Sequence, residues 1–245
     1  MIKPFHPHDP AVFVALADTA NSHRLHHRLR YQVYCEKLGY EDPGNFPDGE
    51  ERDHYDEHAV QFVAYDGRRN DWAGTLRLVP PGPAGLPLTS LTGLKSSVIE
   101  LVKQQRVAEI SRMCVTSEAP APTDGKHRSA RSGPCHDSAL IFFALIRASV
   151  DYAFGHGFDH LAFLTTRSLS RLLGRVGITD HPAGDGCHHR GLRYPRIADV
   201  ALLYRNLIEA PDGHPFAARL ARQPYIPFSA LRVQAGPSAA QVAYG

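Results

Sequence analysis

The chain has little cysteine: four residues in 245, Cys35, Cys114, Cys135 and Cys187, with no CxxC among them. That spacing excludes a disulfide-framed miniprotein and gives no zinc-ribbon signal, and it suits free thiols used as small hydrophobes in a reducing compartment. Long apolar runs are also missing. No stretch approaches 18 apolar residues, and "MIKPFHPHDP" has no apolar signal core. We therefore expect no integral membrane segment, no export and a cytoplasmic location. The excess of positive charge is small, with net charge +2 and a pI near 8.4, so nothing pulls the chain toward nucleic acid. Positive charge is carried mostly by Arg, which offers bidentate contacts to carboxylate or phosphate; a genomic bias toward Arg, Ala, Gly and Pro codons accounts for it equally well.

What is present is a core of ordinary size, with 43% hydrophobic residues, interrupted by many loops. Residues 11–38 read as a helix, with Leu25, Leu29 and Val33 in an i, i+4 row and Gly39 as a stop. The polar stretch 41–58 reads as loop. Residues 59–65 and 72–79 form a hairpin around "DGRRND", and a linker with little regular structure runs to about residue 97. A strand at 106–116, a polar loop at 118–134, and a long helix from His136 with a buried stripe follow. Then come a strand at 158–165, a short helix at 167–177, and "CHHRGLR" and "RIADVALLY" as two last strands. This order predicts an α/β fold: a mixed sheet sandwiched with flanking helices. We assign 1–210 to one domain and 211–245 to a Pro/Ala-rich tail.

The strand "RVAEISRMCVTS" carries Glu109 and Arg112 among apolar residues. An unpaired buried ion costs several kcal/mol, so partners are expected. Arg30, Asp53, Asp56, Arg77 and Ser111 are the polar residues that recur at strand starts and apolar positions. In a regular strand Glu109 and Arg112 point to opposite faces; if both enter one cleft, a β-bulge lies between or beside them. A structural ion-pair cluster without chemistry explains the same residues. The histidines at 54 and 58, at 26 and 27, and in "CHH" have no partner at metal-ligand spacing, so no metal is expected.

"RYQVYCEKLGYE", "FPDGEERDHYDEHAVQFVA", "AGTLRLV" and "EISRMCV" together resemble the acyl-homoserine-lactone (autoinducer) synthase superfamily. They are most similar to its PEP-CTERM/exosortase-associated acyltransferases and N-acyl amino acid synthases. "RSGPCHDSALIFFALIRASVDYAFGHGFDHLAFL" and "SLSRLLGRVGI" extend the likeness over roughly 25–205. The resemblance implies a GNAT-like fold and transfer of a long fatty acyl chain from acyl carrier protein to the amine of an amino acid or similar small acceptor. The phosphopantetheine thioester is then a co-substrate, with no bound cofactor. It implies substrate-binding roles for Arg30, Tyr34, Asp53, Asp56 and Arg77, and catalytic roles for Glu109, Ser111 and Arg112. Tyr40 replaces the usual Trp of the lactone synthases, which favours the amino-acid or exosortase-associated branch; homoserine-lactone synthesis and CoA-dependent acetyl transfer are the alternatives.

The chemistry agrees with the residue types. Aminolysis of a thioester needs a neutral amine and a stabilised oxyanion. A buried Glu109 suits the general base, directly or through one water, and backbone N–H groups at the strand irregularity suit the oxyanion. Arg30 or Arg112 is a candidate for an acceptor carboxylate. Lys126, His127, Arg128, Arg131, Ser132 and Gly133 precede a helix start, which suits the phosphopantetheine phosphate. Arg167, Arg171 and Arg175 share a helical face that fits either an acidic carrier protein or plain solvent. Phe142, Phe143 and Ile146 are the candidate acyl pocket, with core packing as the default.

Overall fold

The computed structural model describes residues 11–116, 134–209 and 219–231, with the side chains of 134–137 left aside. The stretch 11–38 opens with a strand and is not one helix. "VFVAL" forms β1, Val12–Leu16, antiparallel to β2, Val60–Asp66. The helical row of Leu25, Leu29 and Val33 is real, but helix α1 covers only Ala20–Tyr31. Thr19 sets its start: its hydroxyl accepts from the Ser22 N–H at 3.1 Å, and Ser22 Oγ accepts from the Thr19 N–H at 3.0 Å. Such a reciprocal cap fixes the entry of the chain, and the alternation of residues 12–16 is then free to act as strand. The helix loosens into a π-turn, Gln32–Lys37, and stops at Gly39 with φ +59°.

The hairpin forms as expected from β2 and β3, Asp71–Val79. The segment expected to lack structure instead holds two helices, α2, Pro87–Leu91, and α3, Ser96–Lys103. The proline that reads as a breaker sits at the first helical position of α2, where its missing N–H costs nothing. Next come β4, Val107–Val115; α4, Pro134–Gly155; β5, His160–Thr165; and α5, Arg167–Arg175. Short strands β6, His181–Pro182, and β7, Cys187–His188, precede β8, Leu192–Asp199. "RIADVALLY" is therefore not one strand. Asp199 ends β8 and caps α6, Val200–Tyr204, by accepting from the Leu202 N–H at 2.7 Å. A last strand, β9, is Ile226–Pro227.

The nine strands form a mixed sheet in the order β6-β8-β5-β4-β3-β2-β1-β9, with β7 on β8. The expected α/β sandwich is present. Helix α4 crosses one face, where Phe62, Leu76, Leu78, Leu140, Ile141 and Leu145 are buried. It approaches so closely that a Cβ at Gly74 would lie 2.7 Å from Ile141 Cγ2. Residues Ser138–Gly155 are long and apolar enough to span a membrane, but Leu140, Leu145, Ala148, Val150 and Ala153 are spent on this core. Helix α1 covers part of the opposite face, over Ala15, Leu29 and Val63.

Two irregularities in the middle of the sheet create a site. Between Thr75 and Arg77 the partner residues on β4 change from Cys114 to Ser111, so β4 carries one extra residue, and Arg112 sits at φ +47°. This is the β-bulge that Glu109 and Arg112 require. Parallel pairing of β4 with β5 ends at Ile110 and Phe163 although both strands continue. The strands part there, and a cavity enters between them.

Residues 219–231 return to the sheet. Arg147 on α4 donates to the carbonyls of Leu207 at 3.3 Å, Ala221 at 2.8 Å and Arg222 at 2.9 Å, β9 pairs with β1, and Phe228 stacks on Trp72. Hydrogen bonds from a charged donor contribute about 1.5–3 kcal/mol each. Arg147→Met should therefore cost ~3 kcal/mol in urea unfolding and expose 219–231 to limited proteolysis. Unchanged cleavage would show that the strand and ring contacts suffice.

Candidate active site

The bulge turns Arg112 toward the face that already carries Arg77, Glu109 and Ser111, and the loop 41–58 folds over that face from the end of α1. Arg30, from α1, donates through Nε to Glu51 at 2.5 Å and through Nη1 to Asp56 at 2.6 Å. Arg77, from β3, reaches Asp53 at 2.6 Å, Asp56 at 3.1 Å and, through Nε, Ser111 Oγ at 3.0 Å. Arg112 reaches Glu51 at 3.1 Å, Asp53 at 3.2 Å and Glu41 at 3.4 Å. Asp53 and Asp56 are positioned by their own turn: Asp53 Oδ1 accepts from the Tyr55 N–H, and Asp56 Oδ2 from the Asp53 N–H.

The result is three guanidiniums against Glu51, Asp53 and Asp56, nearly all removed from water. Burial opposes the charge on Asp56, but Arg30 and Arg77 overcome it and hold its carboxyl far below the usual range. Burial likewise opposes the charge on Arg30, and Asp56 and Glu51 more than offset it. Such a cluster survives because every member is met; removal of one partner costs about 3–5 kcal/mol.

Glu109 is different. It is 2% exposed and has no direct guanidinium partner among the described residues; its Oε2 accepts the Leu88 N–H of α2 at 2.8 Å. Burial raises its pKa to about 8, against the pull of that N–H and of Arg77 and Arg112. The third carboxylate of the cluster is thus Glu51, which the charge pattern of the loop did not single out, and Glu109 stands apart beside it. Other candidate bases are excluded by the same physics. Burial and Arg30 lower His27 to about 4, and burial holds His26 neutral. Burial lifts the Cys114 thiol to about 11, so it is no ready nucleophile.

Glu109, Ser111 and Arg112 line the edge of a cavity of about 430 Å³. Its interior is apolar: Val33, Phe142, Ile146, Val150, Phe163 and Leu173 contribute to the walls. Phe142 and Ile146 therefore lie where a pocket needs them. Phe143 does not; one residue further round α4, it faces the core at 3% exposure. Tyr34 lines the cavity and donates its hydroxyl to the Met113 carbonyl at 3.0 Å, which ties the π-turn to the bulge. The mouth is bounded by Tyr40, His189, Arg190 and Arg193. Arg190, from the turn before β8, pairs with Glu41 and lies 5.2 Å from the Tyr34 ring centre and 5.6 Å from that of Tyr40. Nothing in the local sequence flagged Glu41 or Arg190, which are 149 positions apart.

Arg30 is fully buried with Glu51 and Asp56, so it does not present itself to a ligand as expected. Arg167, Arg171 and Arg175 are exposed on α5. Lys126, His127, Arg128, Arg131, Ser132 and Gly133 lie outside the described residues. Among the described residues no group of three His, Cys, Asp or Glu is arranged to hold a metal ion.

The chain is similar to known proteins over much of its length. Residues 29–120 match the family described as "Acetyltransferase (GNAT) domain". The acyl-homoserine-lactone synthase of Acinetobacter nosocomialis is 27% identical over 155 residues, which cover 63% of this chain and 79% of that protein. Among solved structures, BjaI, a CoA-dependent acyl-homoserine lactone synthase with SAM and isopentyl-CoA, superposes with a TM-score of 0.56 at 18% identity, covering 85% of this chain and 92% of that one. FeeM, an N-acyl amino acid synthase from uncultured soil microbes, gives 0.53 at 18% identity, covering 79% and 93%. The fold is shared throughout.

The raised pKa of Glu109 has a consequence for stability. Between its ordinary 4.5 and about 8 the folded protein holds a proton that the unfolded chain has released, so this group's contribution falls as pH rises through that window. Glu109→Gln removes the titration. Relative to the wild type, the variant should gain stability progressively from pH 4.5 to about 8 and level off above it, by on the order of 5 kcal/mol. Urea midpoints measured in parallel check this; a constant difference across the window would mean that Glu109 is hydrated and ordinary.

Proposed function

We propose that this chain, which is similar to acyl-homoserine-lactone synthases and carries a GNAT-domain match, is an N-acyltransferase. In this reading it moves a long fatty acyl chain from acyl carrier protein to the amine of an amino acid or similar small acceptor. The observation that carries it is the apolar cavity opening between β4 and β5, with Glu109, Ser111 and Arg112 at its edge. An acyl chain occupies the apolar depth, so the thioester carbonyl comes to rest at the polar rim.

There the amine must lose a proton before it attacks. The α-ammonium of a free amino acid is less acidic than the N-terminus of a peptide, so an ordinary carboxylate is far too weak a base for it. Glu109, raised to about 8 by burial, narrows that gap and lies near the operating pH, which is the condition for efficient general base catalysis. His189, at the mouth, is lowered by burial and by Arg112 and Arg193 and is the weaker base. The amine nitrogen forms its bond to the carbonyl carbon, the C–S bond breaks, the thiolate leaves with the proton held by Glu109, and the second proton of the attacking nitrogen passes to the carboxylate so regenerated or to water. Ser111 Oγ already accepts from Arg77, so its own O–H is free to donate to the developing oxyanion. No acyl-enzyme is invoked, consistent with the protonated state of Cys114.

For the donor, the single Gly133 in "RSARSGPC" supports a carrier-protein thioester over a CoA pyrophosphate loop, and the exposed Arg167, Arg171 and Arg175 suit an acidic partner. Homoserine-lactone synthesis is the second reading, favoured by the names of the curated relatives.

Acyl carrier protein loaded with C8 to C18 chains, and the matching CoA thioesters, should be offered with pooled L-amino acids and with SAM. The expected product is an N-acyl amino acid formed from long-chain acyl carrier protein. A lactone formed only from SAM, or turnover with acetyl-CoA alone, overturns the proposal. In the productive assay kcat/KM should rise with pH to a plateau above about 8, and Glu109→Gln should lower kcat by about 10²–10⁴-fold.

A further inference from the structure

The acceptor's carboxylate needs a cation, and the buried cluster has none to spare. Arg30 and Arg77 are buried and each contacts two carboxylates. Arg112 touches three. Two guanidiniums stand at the cavity mouth. Arg193 donates to the neighbouring Leu192 carbonyl at 3.2 Å and stacks on no aromatic ring among the described residues. Arg190 has one carboxylate contact, Glu41 Oε1, the same oxygen that Arg112 approaches at 3.4 Å.

Arg190 is also held as a binding group would be. It stands at the tip between β7 and β8 with φ +53°, a conformation that costs a non-glycine residue about 1–3 kcal/mol unless surroundings enforce it. The surroundings are the faces of Tyr34 and Tyr40, which stack on each other at 6.5 Å and 25°. The turn itself is closed by the His189 N–H donating to the Gly191 carbonyl at 2.9 Å. Its guanidinium is thereby pre-oriented at a partly open rim, its side chain 17% exposed.

We propose that Arg190 is the specificity-determining anchor for the acceptor, that it selects amines bearing a free α-carboxylate, and that Glu41 occupies the anchor until the acceptor's carboxylate takes its place. This rests on the N-acyltransferase reading for its reaction, but not for its binding step. It also has an electrostatic rationale. Arg30, Arg77, Arg112 and Arg190 balance Glu41, Glu51, Asp53 and Asp56. A zwitterionic amino acid enters without disturbing that balance, with its ammonium toward Glu109 and its carboxylate at Arg190. An amino-acid amide brings an uncompensated cation.

The test compares the best acceptor from the pooled L-amino acids with its carboxamide. Wild type should favour the acid in kcat/KM by at least about tenfold, since a hydrogen bond to a charged group is worth about 1.5–3 kcal/mol. Arg190→Gln should raise KM for the acid by about 10–100-fold, change kcat little, and leave the carboxamide within about threefold, so that the preference collapses. Glu41→Gln should lower KM for the acid by removing the competing carboxylate. Equal losses for acid and carboxamide in Arg190→Gln, or no loss for the acid, overturn the anchor while leaving the acyltransferase reading intact. Saturation-transfer NMR on the same pools without donor separates the two claims. Binding of the acids that fails in Arg190→Gln supports the anchor even if no product forms; equal binding of acids and carboxamides by the wild type overturns it.

Discussion

Charge balance at a break in the sheet is the constraint on which this molecule depends. A guanidinium buried in the middle of a β-strand is tolerable only where carboxylates meet it, and here Arg77 and Arg112 are met by residues of the loop 41–58. The loop has few apolar residues to bury. It is held by the ion pairs of Glu51, Asp53 and Asp56, and these in turn hold Arg30 of α1. The bulge, the loop and the end of α1 therefore form one unit. Without the extra residue on β4, Arg112 would face α4, and Glu51 would be left with Arg30 alone.

That unit sets the character of Glu109. A saturated network offers it no direct counter-ion, only the distant pull of Arg77 and Arg112 and the N–H of Leu88. The carboxyl stays buried and largely protonated at neutral pH, at a cost to stability once it ionises. A directly paired Glu109 would stabilise the fold more and would be useless as a base for an α-amine, because its pKa would fall far below that of the amine. The separation of one carboxyl from the paired cluster is how the same surroundings hold Asp53 and Asp56 below the usual carboxylate range and Glu109 above it.

Much of this was legible in the sequence. Charges in an apolar strand announced partners for Arg112, and the bulge followed as the condition for one cleft, because period-two alternation cannot place Glu109 and Arg112 on one face. The partners expected for Glu109 are replaced by a single N–H from Leu88. The hairpin, the long helix and the fold class followed from periodicity. What was not legible is equally specific. Residues 12–16 run into a helical pattern, and only the Thr19 cap separates them. Pro87 reads as a breaker yet begins α2, whose N–H reaches Glu109. Glu51 could not be told from Glu50 or Glu57 by local pattern. Phe142 and Phe143 are equally apolar, and only the angle of α4 to the sheet assigns one to the cavity and the other to the core. Arg190 lies in a turn of ordinary polarity; its partners Tyr34, Tyr40 and Glu41 are brought to it by tertiary structure alone.

The parting of β4 from β5 ties these features to one direction of travel. Beyond Ile110 and Phe163 the two strands no longer satisfy each other, so their edges face the cavity. Apolar side chains from α4, α5 and β5 close the deep end, and the polar residues of the bulge and of the Tyr40–Arg190 rim close the other. An amphiphile with one reactive carbonyl fits such a space in one orientation, since burying its polar end among Phe142, Ile146 and Leu173 would strip it of hydrogen bonds at a cost of several kcal/mol. In the proposed reaction the carbonyl is thus delivered to Ser111 and Glu109 by exclusion from the apolar depth, whatever contacts the donor's carrier makes. On the proposed reading, acyl length is set by the residues at the deep end and acceptor choice by those at the rim. The two selectivities are carried by different elements, and either can change without disturbing the charge balance between them.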